Sequence, residues 1–516
     1  MDPESSAPST SARSNFESLY KNNGRTSSEL RKRREDETIR IRKEKREETQ
    51  NKRRHIIFES DDEMDAEVGS GSEEYEAEVF DPKLIDDLSS FAAPDAESRV
   101  HKALVFYRHL IQTKDTAVNE ILELGLTTIF IDIIGSVRSP QLIYESLHII
   151  SEILCLADGN ELLSSNPTVF DLLLSLLTGG EPRIQEVAAS AVSNLACDCS
   201  QYCIDRDIID TIVTLYHRND AGDELKASLI WIARSLCKKK LSEVNFENLM
   251  HMYPMLVEEL CRELNSDKVL GDAAMALALL GDQTDERISR VAVAHRRIMP
   301  RMITLMRIDQ AKECREAAMR YVSNLASGHD AQTALVCEYA LGSLRDILAD
   351  CIEAGVRRDA CWAISNIAAS GRERIEELMK AGIFLPIVYV LESGPFDLRR
   401  EAAWAVFNAT QYGTFKHIAY LCKLNVHVPL IDLLTTVEWN IAYICLRSIR
   451  RMIEMGESDL QQRNLHANRV KLKLEEEGFR DRLDYLQNSD NKEVSREAGN
   501  IWKLFFEDDD DDDLNL

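Results

Sequence analysis

Pairs of a tryptophan and an asparagine four residues apart recur in this chain, in Trp362–Asn366 and again in Trp404–Asn408. Residues four apart lie on one face of a helix, so each pair presents an aromatic ring and an amide in the same direction. An indole face attracts lysine and arginine side chains by dispersion and a cation–π term of about 0.5–2 kcal/mol. An amide both donates and accepts hydrogen bonds, which suits it to holding the backbone of an extended peptide.

The sequence around these pairs repeats with a period of about 42 residues, as in RRDACWAISNIA and RREAAWAVFNAT. Extending the frame gives a series of "large" positions, which we call the ladder: His148, Ser190, Trp231, Met275, Arg320, Trp362 and Trp404. The matching amide positions, four residues later, are Glu152, Asn194, Ser235, Leu279, Asn324, Asn366 and Asn408. Such a period with helical spacing predicts armadillo or related repeats.

The composition of the chain predicts the type of secondary structure that positions the ladder. Proline and glycine are sparse and regular alternating strands are missing, which predicts an all-α chain. We expect a right-handed superhelical solenoid of about ten armadillo repeats, in which each repeat buries its apolar sides against its neighbours. The third helix of each repeat would line a concave groove. The predicted boundaries are a flexible basic arm over 1–58, an acidic linker over 59–80, the repeats over 81–506 and an acidic tail over 507–516.

The charge of the chain is unevenly distributed. Its formal net charge is -26, yet the segment Arg25–Arg54 is rich in arginine and lysine. A basic arm of this kind most often binds nucleic acid, a membrane or an acidic protein surface. Residues 28–54 are compatible with a helix but too poor in apolar residues to form core, so we expect this helix to form on a partner. Direct nucleic-acid binding is the weaker alternative, which a steep salt dependence would support.

Several classes of function are disfavoured by the sequence. No apolar run reaches the roughly 18 residues of a membrane span, and the polar N-terminus does not resemble a signal peptide. The cysteines Cys197, Cys199 and Cys203 lack a second ligand pair at zinc-like spacing, so we expect no metal. No phosphate-binding loop, nucleophile elbow or zinc-protease motif is present, so we expect neither an enzyme nor a cofactor.

The repeated asparagine favours a binding face over a core position. A buried amide without a partner is costly, and core positions of repeats are mainly apolar. Carboxylates close to the ladder, at Asp198, Asp330 and Glu401, would add charge recognition. The predicted ligand is therefore an extended peptide rich in lysine and arginine.

The order of motifs at both ends of the chain resembles the importin-alpha family of nuclear import adaptors. The basic segment that carries this resemblance comprises Phe16, Tyr20–Gly24, Leu30–Glu35, Ile39–Lys43, Lys45–Arg46 and Lys52–Arg54. The resemblance implies an arm that binds importin-beta and inhibits the chain's own groove when importin-beta is absent. The residues implied in these roles are Arg31, Lys32, Arg33, Arg34, Arg40, Arg42, Lys43, Lys45, Arg46, Lys52, Arg53 and Arg54.

The resemblance also implies two peptide-binding stretches, a major one over about 148–238 and a minor one over about 320–408. The minor site matches the family at Arg320, Asn324, Asp330, Thr333, Trp362, Asn366, Glu401, Trp404 and Asn408. The major site would comprise His148, Glu152, Ser190, Asn194, Asp198, Trp231 and Ser235. It is degenerate, because His148 and Ser190 stand where the family has tryptophan, and Glu152 and Ser235 where it has asparagine.

The partners that the resemblance implies are importin-beta, cargo proteins with basic nuclear localisation signals, and an export receptor of the CAS type. The chain would shuttle between cytoplasm and nucleus through the nuclear envelope and pore, without inserting into a membrane. Its cargo preference would lean toward the minor site or toward bipartite signals. An armadillo scaffold of the adhesion or signalling type, like beta-catenin, is the alternative, but the tryptophan and asparagine ladder and the basic arm disfavour it.

Overall fold

The computed structural model describes residues 81–506, apart from 94, 114–115, 239–242, 264, 282–284, 437 and 465. The predicted arm (1–58), acidic linker (59–80) and acidic tail (507–516) all lie outside the described residues. The chain divides into two compact units, unit 1 over 1–239 and unit 2 over 240–516. All the regular elements of the described residues are helices, which confirms the all-α prediction.

Unit 1 is a succession of short helices that each lead into a longer one. In order they are α1 (Pro82–Ser89), α2 (Glu97–Thr113), α3 (Ala117–Glu123), α4 (Leu126–Ser136), α5 (Pro140–Leu156), α6 (Gly159–Ser165), α7 (Val169–Gly179), α8 (Pro182–Ile204), α9 (Ile208–Tyr216) and α10 (Asp223–Leu236). Helix α8 is kinked at Cys199, where φ is -121° and ψ is 38°. The kink separates the last helix of one repeat from the first helix of the next.

Unit 2 continues the pattern. Its helices are α11 (Glu243–Met250), α12 (Tyr253–Cys261), α13 (Asp267–Leu280), α14 (Asp285–Val291), α15 (His295–Leu305), α16 (Lys312–Ala326), α17 (Asp330–Asp350), α18 (Ala354–Ala369), α19 (Arg372–Lys380), α20 (Phe384–Ser393), α21 (Phe396–Tyr412), α22 (Phe415–Lys423), α23 (His427–Leu433), α24 (Trp439–Arg463), α25 (Arg469–Glu476), α26 (Phe479–Gln487) and α27 (Lys492–Phe506). A 3₁₀ turn, Ala292–Ala294, joins α14 to α15.

Local sequence explains where these helices begin and end. Pro140 and Pro182 start α5 and α8 at the first helical turn, where a missing backbone N–H costs nothing. The Ser266 hydroxyl accepts a hydrogen bond from the Val269 backbone N–H at 3.4 Å and caps α13. Gly382 adopts a φ of 73° between α19 and α20, a left-handed conformation that favours glycine. Gly382 therefore supplies the turn that separates these two helices.

The repeats stack through their last helices. Ten helices of the described residues each end a repeat: α2, α5, α8 and α10 in unit 1, and α13, α16, α18, α21, α24 and α27 in unit 2. Within each unit, neighbours in this series pack side by side, most extensively α18 with α21 and α8 with α10. Small buried residues such as Ala363, Ala402 and Ala405 allow this close approach. The armadillo prediction is thus confirmed, since each repeat finds its core against the next.

Candidate peptide-binding surface

The ladder residues lie on the repeat-ending helices. His148, Ser190 and Trp231 sit on α5, α8 and α10 of unit 1, while Met275, Arg320, Trp362 and Trp404 sit on α13, α16, α18 and α21 of unit 2. Because neighbouring helices of this series pack along their lengths, equivalent positions fall in rows. We call the side of these helices that carries the ladder and its amide positions the ladder face, and describe it separately for each unit.

Three ladder amides bind the backbone of the preceding repeat. Asn324 Nδ2 donates to the carbonyl of Ala278 at 2.8 Å, and Asn408 Nδ2 donates to that of Ser365 at 2.8 Å. In unit 1, Asn194 Nδ2 donates to the carbonyl of Ser151 at 3.1 Å. In every case the acceptor precedes the amide position of the previous repeat by one residue. The repeated asparagine therefore fastens adjacent repeats to each other.

This hydrogen bond corrects one step of the sequence argument. We expected a buried ladder asparagine to be unsatisfied in a core position, but the neighbouring repeat supplies an acceptor for its donor group. The amide oxygen of Asn408 has no such partner. Asn408 is 2% exposed, and no described residue donates a hydrogen bond to its Oδ1. The contact between repeats uses the amide nitrogen, and the oxygen is buried without a donor from the described residues.

The aromatic row of unit 2 is only partly accessible. Trp362 is half-buried, whereas Trp404 is 9% exposed and meets Phe407 edge to face, with ring centroids 5.6 Å apart. Arg320 is half-buried in the same row. Burial lowers the pKa of its guanidinium, and the carboxylate of Asp359 opposes this effect. Arg320 stays protonated because an arginine starts from a pKa far above neutrality.

The remaining residues of the sequence-predicted minor site differ in their access to a ligand. Asp330 is exposed and accepts from Arg374 Nε at 3.3 Å, which links it to the next repeat. Glu401 is buried, with Arg400 Nε 3.8 Å from its Oε1. Thr333 is 0% exposed, and its hydroxyl donates to the carbonyl of His329 at 3.3 Å. Thr333 therefore has no surface with which to touch a peptide in this conformation.

The ladder face of unit 1 lacks a continuous aromatic row. His148 is buried edge to face against Tyr144, with centroids 4.8 Å apart. Burial, followed by the nearby charge of Arg108, lowers the pKa of His148 to about 4. The imidazole is therefore neutral at physiological pH and does not repel a cationic ligand. Trp231 is half-buried, and of the three ladder residues of unit 1 it alone keeps the tryptophan expected from the family pattern.

The other altered positions of unit 1 are mostly internal. Ser190 is buried, and no described residue bonds to its hydroxyl. Ser235 is 0% exposed, and its hydroxyl lies 2.9 Å from that of Ser193 across the α8–α10 contact. Glu152 and Asp198 are half-buried, and Asp198 Oδ2 accepts from the backbone N–H of Gly159 at 3.3 Å. The Ser235 hydroxyl thus takes the place of the asparagine amide in the contact between repeats. Because Ser235 is fully buried, it has no surface with which to contact a ligand.

Sequence reasoning missed a second row on the ladder face of unit 1. Cys155, Cys197 and Lys238 each lie seven residues after a ladder position, a spacing that returns to the same helical face. Lys238 is exposed, and its Nζ donates to Cys197 Sγ at 3.0 Å. The sequence did contain a signal for this row, because the same seven-residue offset from a ladder position recurs in three repeats.

The cysteines of unit 1 do not form a metal site. In the described part of the chain, no group of three or more histidine, cysteine, aspartate or glutamate side chains is placed to hold a metal ion. Cys203 is buried, and burial raises the pKa of its thiol to about 12, which disfavours the thiolate that metals bind. None of the helices in the same part of the chain is long and apolar enough to span a membrane.

Comparison with known proteins gives one family match and a set of similar proteins. The importin beta binding domain family matches residues 17–93 of the chain. Importin subunit alpha-4 of Arabidopsis thaliana is 27% identical over 505 residues, covering 96% of this chain and 92% of that protein. Over nearly its whole length the chain is therefore similar to importin-alpha proteins. Importin subunit alpha-1a of Oryza sativa subsp. japonica is also similar, at 27% identity over 94% of this chain and 91% of that protein.

A solved structure agrees with the fold. An engineered protein determined by the Northeast Structural Genomics Consortium has a TM-score of 0.69 and 18% identity, covering 82% of this chain and 98% of its own. The similarity to importin-alpha proteins supports the sequence prediction of a nuclear import adaptor and not of an enzyme.

Proposed function

We propose that this adaptor binds Lys/Arg-rich nuclear localisation signals, monopartite or bipartite, on its ladder face and links them to importin-beta. The observation that carries the proposal is the pairing of Trp362 with Asn366 and of Trp404 with Asn408 on two helices that pack side by side. Basic side chains would lie against the indoles, of which Trp362 is the more accessible. The importin beta binding domain favours this function over an adhesion or signalling scaffold.

The proposed minor site in unit 2 would hold most of the binding energy. Unit 1 lacks two of the expected rings, at His148 and Ser190, and this loss removes about 1–3 kcal/mol of stacking. That free energy corresponds to one or two decades in Kd. Glu152, as a half-buried carboxylate, would recover part of it by pairing with a basic side chain. The chain would therefore prefer signals that reach the minor site.

The basic arm has two proposed roles. It would bind importin-beta, and its cluster Lys52–Arg54 would occupy the ladder face when importin-beta is absent. A tethered segment competes at an effective concentration that can reach about millimolar. Importin-beta would lift this inhibition by taking up the same arm. An export receptor of the CAS type would return the chain from the nucleus after passage through the pore, and the acidic tail is either part of its binding region or a solubilising segment.

The test is a fluorescence-anisotropy titration of a labelled bipartite basic peptide against the full chain. Lys52, Arg53 and Arg54 are replaced by alanine to remove the competing cluster. We expect a Kd in the micromolar range or below, and at least tenfold weakening by Trp362→Ala combined with Trp404→Ala. Trp231→Ala should weaken binding less, and Trp439→Ala is the control, since Trp439 lies on α24 outside the ladder.

Two outcomes would contradict the proposal. Absence of binding would refute signal recognition by this chain. A larger loss with Trp231→Ala than with the unit 2 pair would reverse the proposed order of the two sites. Circular dichroism of each variant separates lost contacts from lost folding, which matters most for the well-buried Trp404.

A further inference from the structure

A single ammonium group is held at one edge of the unit 1 ladder face. Lys238 Nζ donates to Cys197 Sγ at 3.0 Å, and Cys197 Sγ in turn donates to Ser235 Oγ at 3.4 Å. This chain of contacts fixes the lysine beside the amide positions Asn194 and Ser235. No carboxylate of the described residues lies within ion-pair distance of Lys238, which leaves the exposed charge available to a ligand.

The opposite edge of the same face carries negative charge. Glu186 lies four residues before Ser190 on α8, is half-buried, and forms no hydrogen bond or ion pair with a described residue. Burial and the carboxylate of Glu224 raise its pKa, and Arg183 opposes them. Arg183 is directed elsewhere, 5.5 Å from the centre of the Tyr144 ring. Arg183 is therefore close enough to act on the charge of Glu186 but forms no ion pair with it.

The two edges are matched to the geometry of an extended peptide. Glu186 and Cys197 are eleven residues apart on α8, about 16 Å along a helix axis. A peptide that crosses the helices between these edges directs successive side chains to opposite sides. One set of alternating side chains would face Glu186, and the other would face Lys238. Unit 2 has no cation at the equivalent edge, where Ser327, Ala369 and Gln411 occur.

We propose that Lys238 makes the unit 1 ladder face selective for extended peptides in which basic residues alternate with acidic ones. The basic side chains pair with Glu186, and the acidic ones pair with Lys238. This inference rests on the proposed peptide-binding function and specifies the ligand of one of its two sites. It also explains why the aromatic row can be incomplete there, since ion pairs at both edges replace stacking.

The experiment compares two labelled ten-residue peptides on the full chain at about 150 mM salt, where long-range charge effects are screened. One alternates lysine with glutamate and the other alternates lysine with serine, so the number and spacing of cations are equal. We expect the glutamate peptide to bind about fivefold tighter, the upper range for an exposed ion pair. Lys238→Ala should abolish this preference, and Lys238→Arg should retain it.

Glu186→Gln supplies the matched control, because it should weaken both peptides by a similar factor. The basic arm competes equally with both peptides, so the ratio of affinities is unaffected by it. Equal or tighter binding of the serine peptide, or a ratio unchanged by Lys238→Ala, would overturn the inference. If neither alternating peptide binds while the bipartite basic peptide does, the inference fails and the proposed function stands. If the bipartite peptide also fails to bind, the proposed function itself is refuted.

Discussion

Only one end of the Asn408 side-chain amide has a hydrogen-bond partner among the described residues. Its Nδ2 donates to the carbonyl of Ser365 at 2.8 Å, and its buried Oδ1 receives no hydrogen bond from the described residues. The nitrogen stabilises the stack, and the oxygen is buried beside it. A substitution at Asn408 is therefore expected to act first on folding.

Asn408→Ala should lower the free energy of unfolding by about 1–2 kcal/mol, because the Ser365 carbonyl would lose a buried donor. The measurement is the shift of the urea midpoint by circular dichroism. Asn500→Ala is the control, since Asn500 is exposed on α27 and should leave the midpoint unchanged. An equal shift in both variants would show that the inter-repeat bond contributes nothing particular.

His148 gives unit 1 a pH-dependent stability. Its pKa is about 4 in the folded chain against an ordinary value of 6.5. Between these values the unfolded chain binds a proton that the folded chain does not, so stability falls as the pH is lowered from about 6.5 to about 4. The loss from this residue is at most about 3 kcal/mol.

His148→Gln should therefore flatten the fall in urea midpoint between pH 7 and pH 5. His109→Gln provides the comparison, because His109 is exposed and should keep the wild-type slope. If the slope of His148→Gln equals that of the wild type, the imidazole of His148 is not the group that carries this dependence.

At the scale of elements, Arg315 fastens α16 to the segment before it and to the next repeat. Its Nη1 donates to the carbonyls of Arg307, Ile308 and Gln310 at 2.8–3.1 Å. Its Nη2 donates to Glu353 Oε1 at 2.5 Å, so one planar group joins two repeats. A lysine could keep the charge but could not reproduce this fork.

Arg315→Lys should therefore destabilise the chain by about 3 kcal/mol, since Arg315 is buried and its partners would lose their donors. The exposed pair of Arg307 with Asp309 is the matched control, and Arg307→Ala should leave the stability nearly unchanged. Thermal unfolding of the two variants compares them directly. Similar melting temperatures would argue against a special role for the buried fork.

The sequence predicted the repeat-ending helices and the row of asparagines, because both follow from a helical period repeated in one frame. It could not predict that Ser235 and Thr333 are fully buried, since burial depends on how closely neighbouring helices pack. Nor did it predict the inter-repeat acceptors of Asn194, Asn324 and Asn408, which are backbone carbonyls and carry no signal in the side-chain sequence. Lys238 was identifiable by spacing alone, but its contact with Cys197 required the fold.

At the scale of the whole molecule, the basic arm and the ladder face belong to one chain and are proposed to compete. Removing residues 1–75 should tighten the binding of a bipartite basic peptide by about tenfold or more, because a tethered competitor is lost. Anisotropy titration of the full and shortened chains measures the difference. Alanine at Lys52, Arg53 and Arg54 in the full chain should produce the same gain. Equal affinities in all three proteins would exclude autoinhibition by this cluster.

The bond that Asn194, Asn324 and Asn408 each make to the preceding repeat also limits how this chain can diverge. A mutation that removes such an asparagine removes a link between repeats. Cargo preference can then change only where another side chain restores the link, as Ser235 does through Ser193. Evolution of specificity along the solenoid is therefore expected to proceed by paired substitutions, one in each of two adjacent repeats.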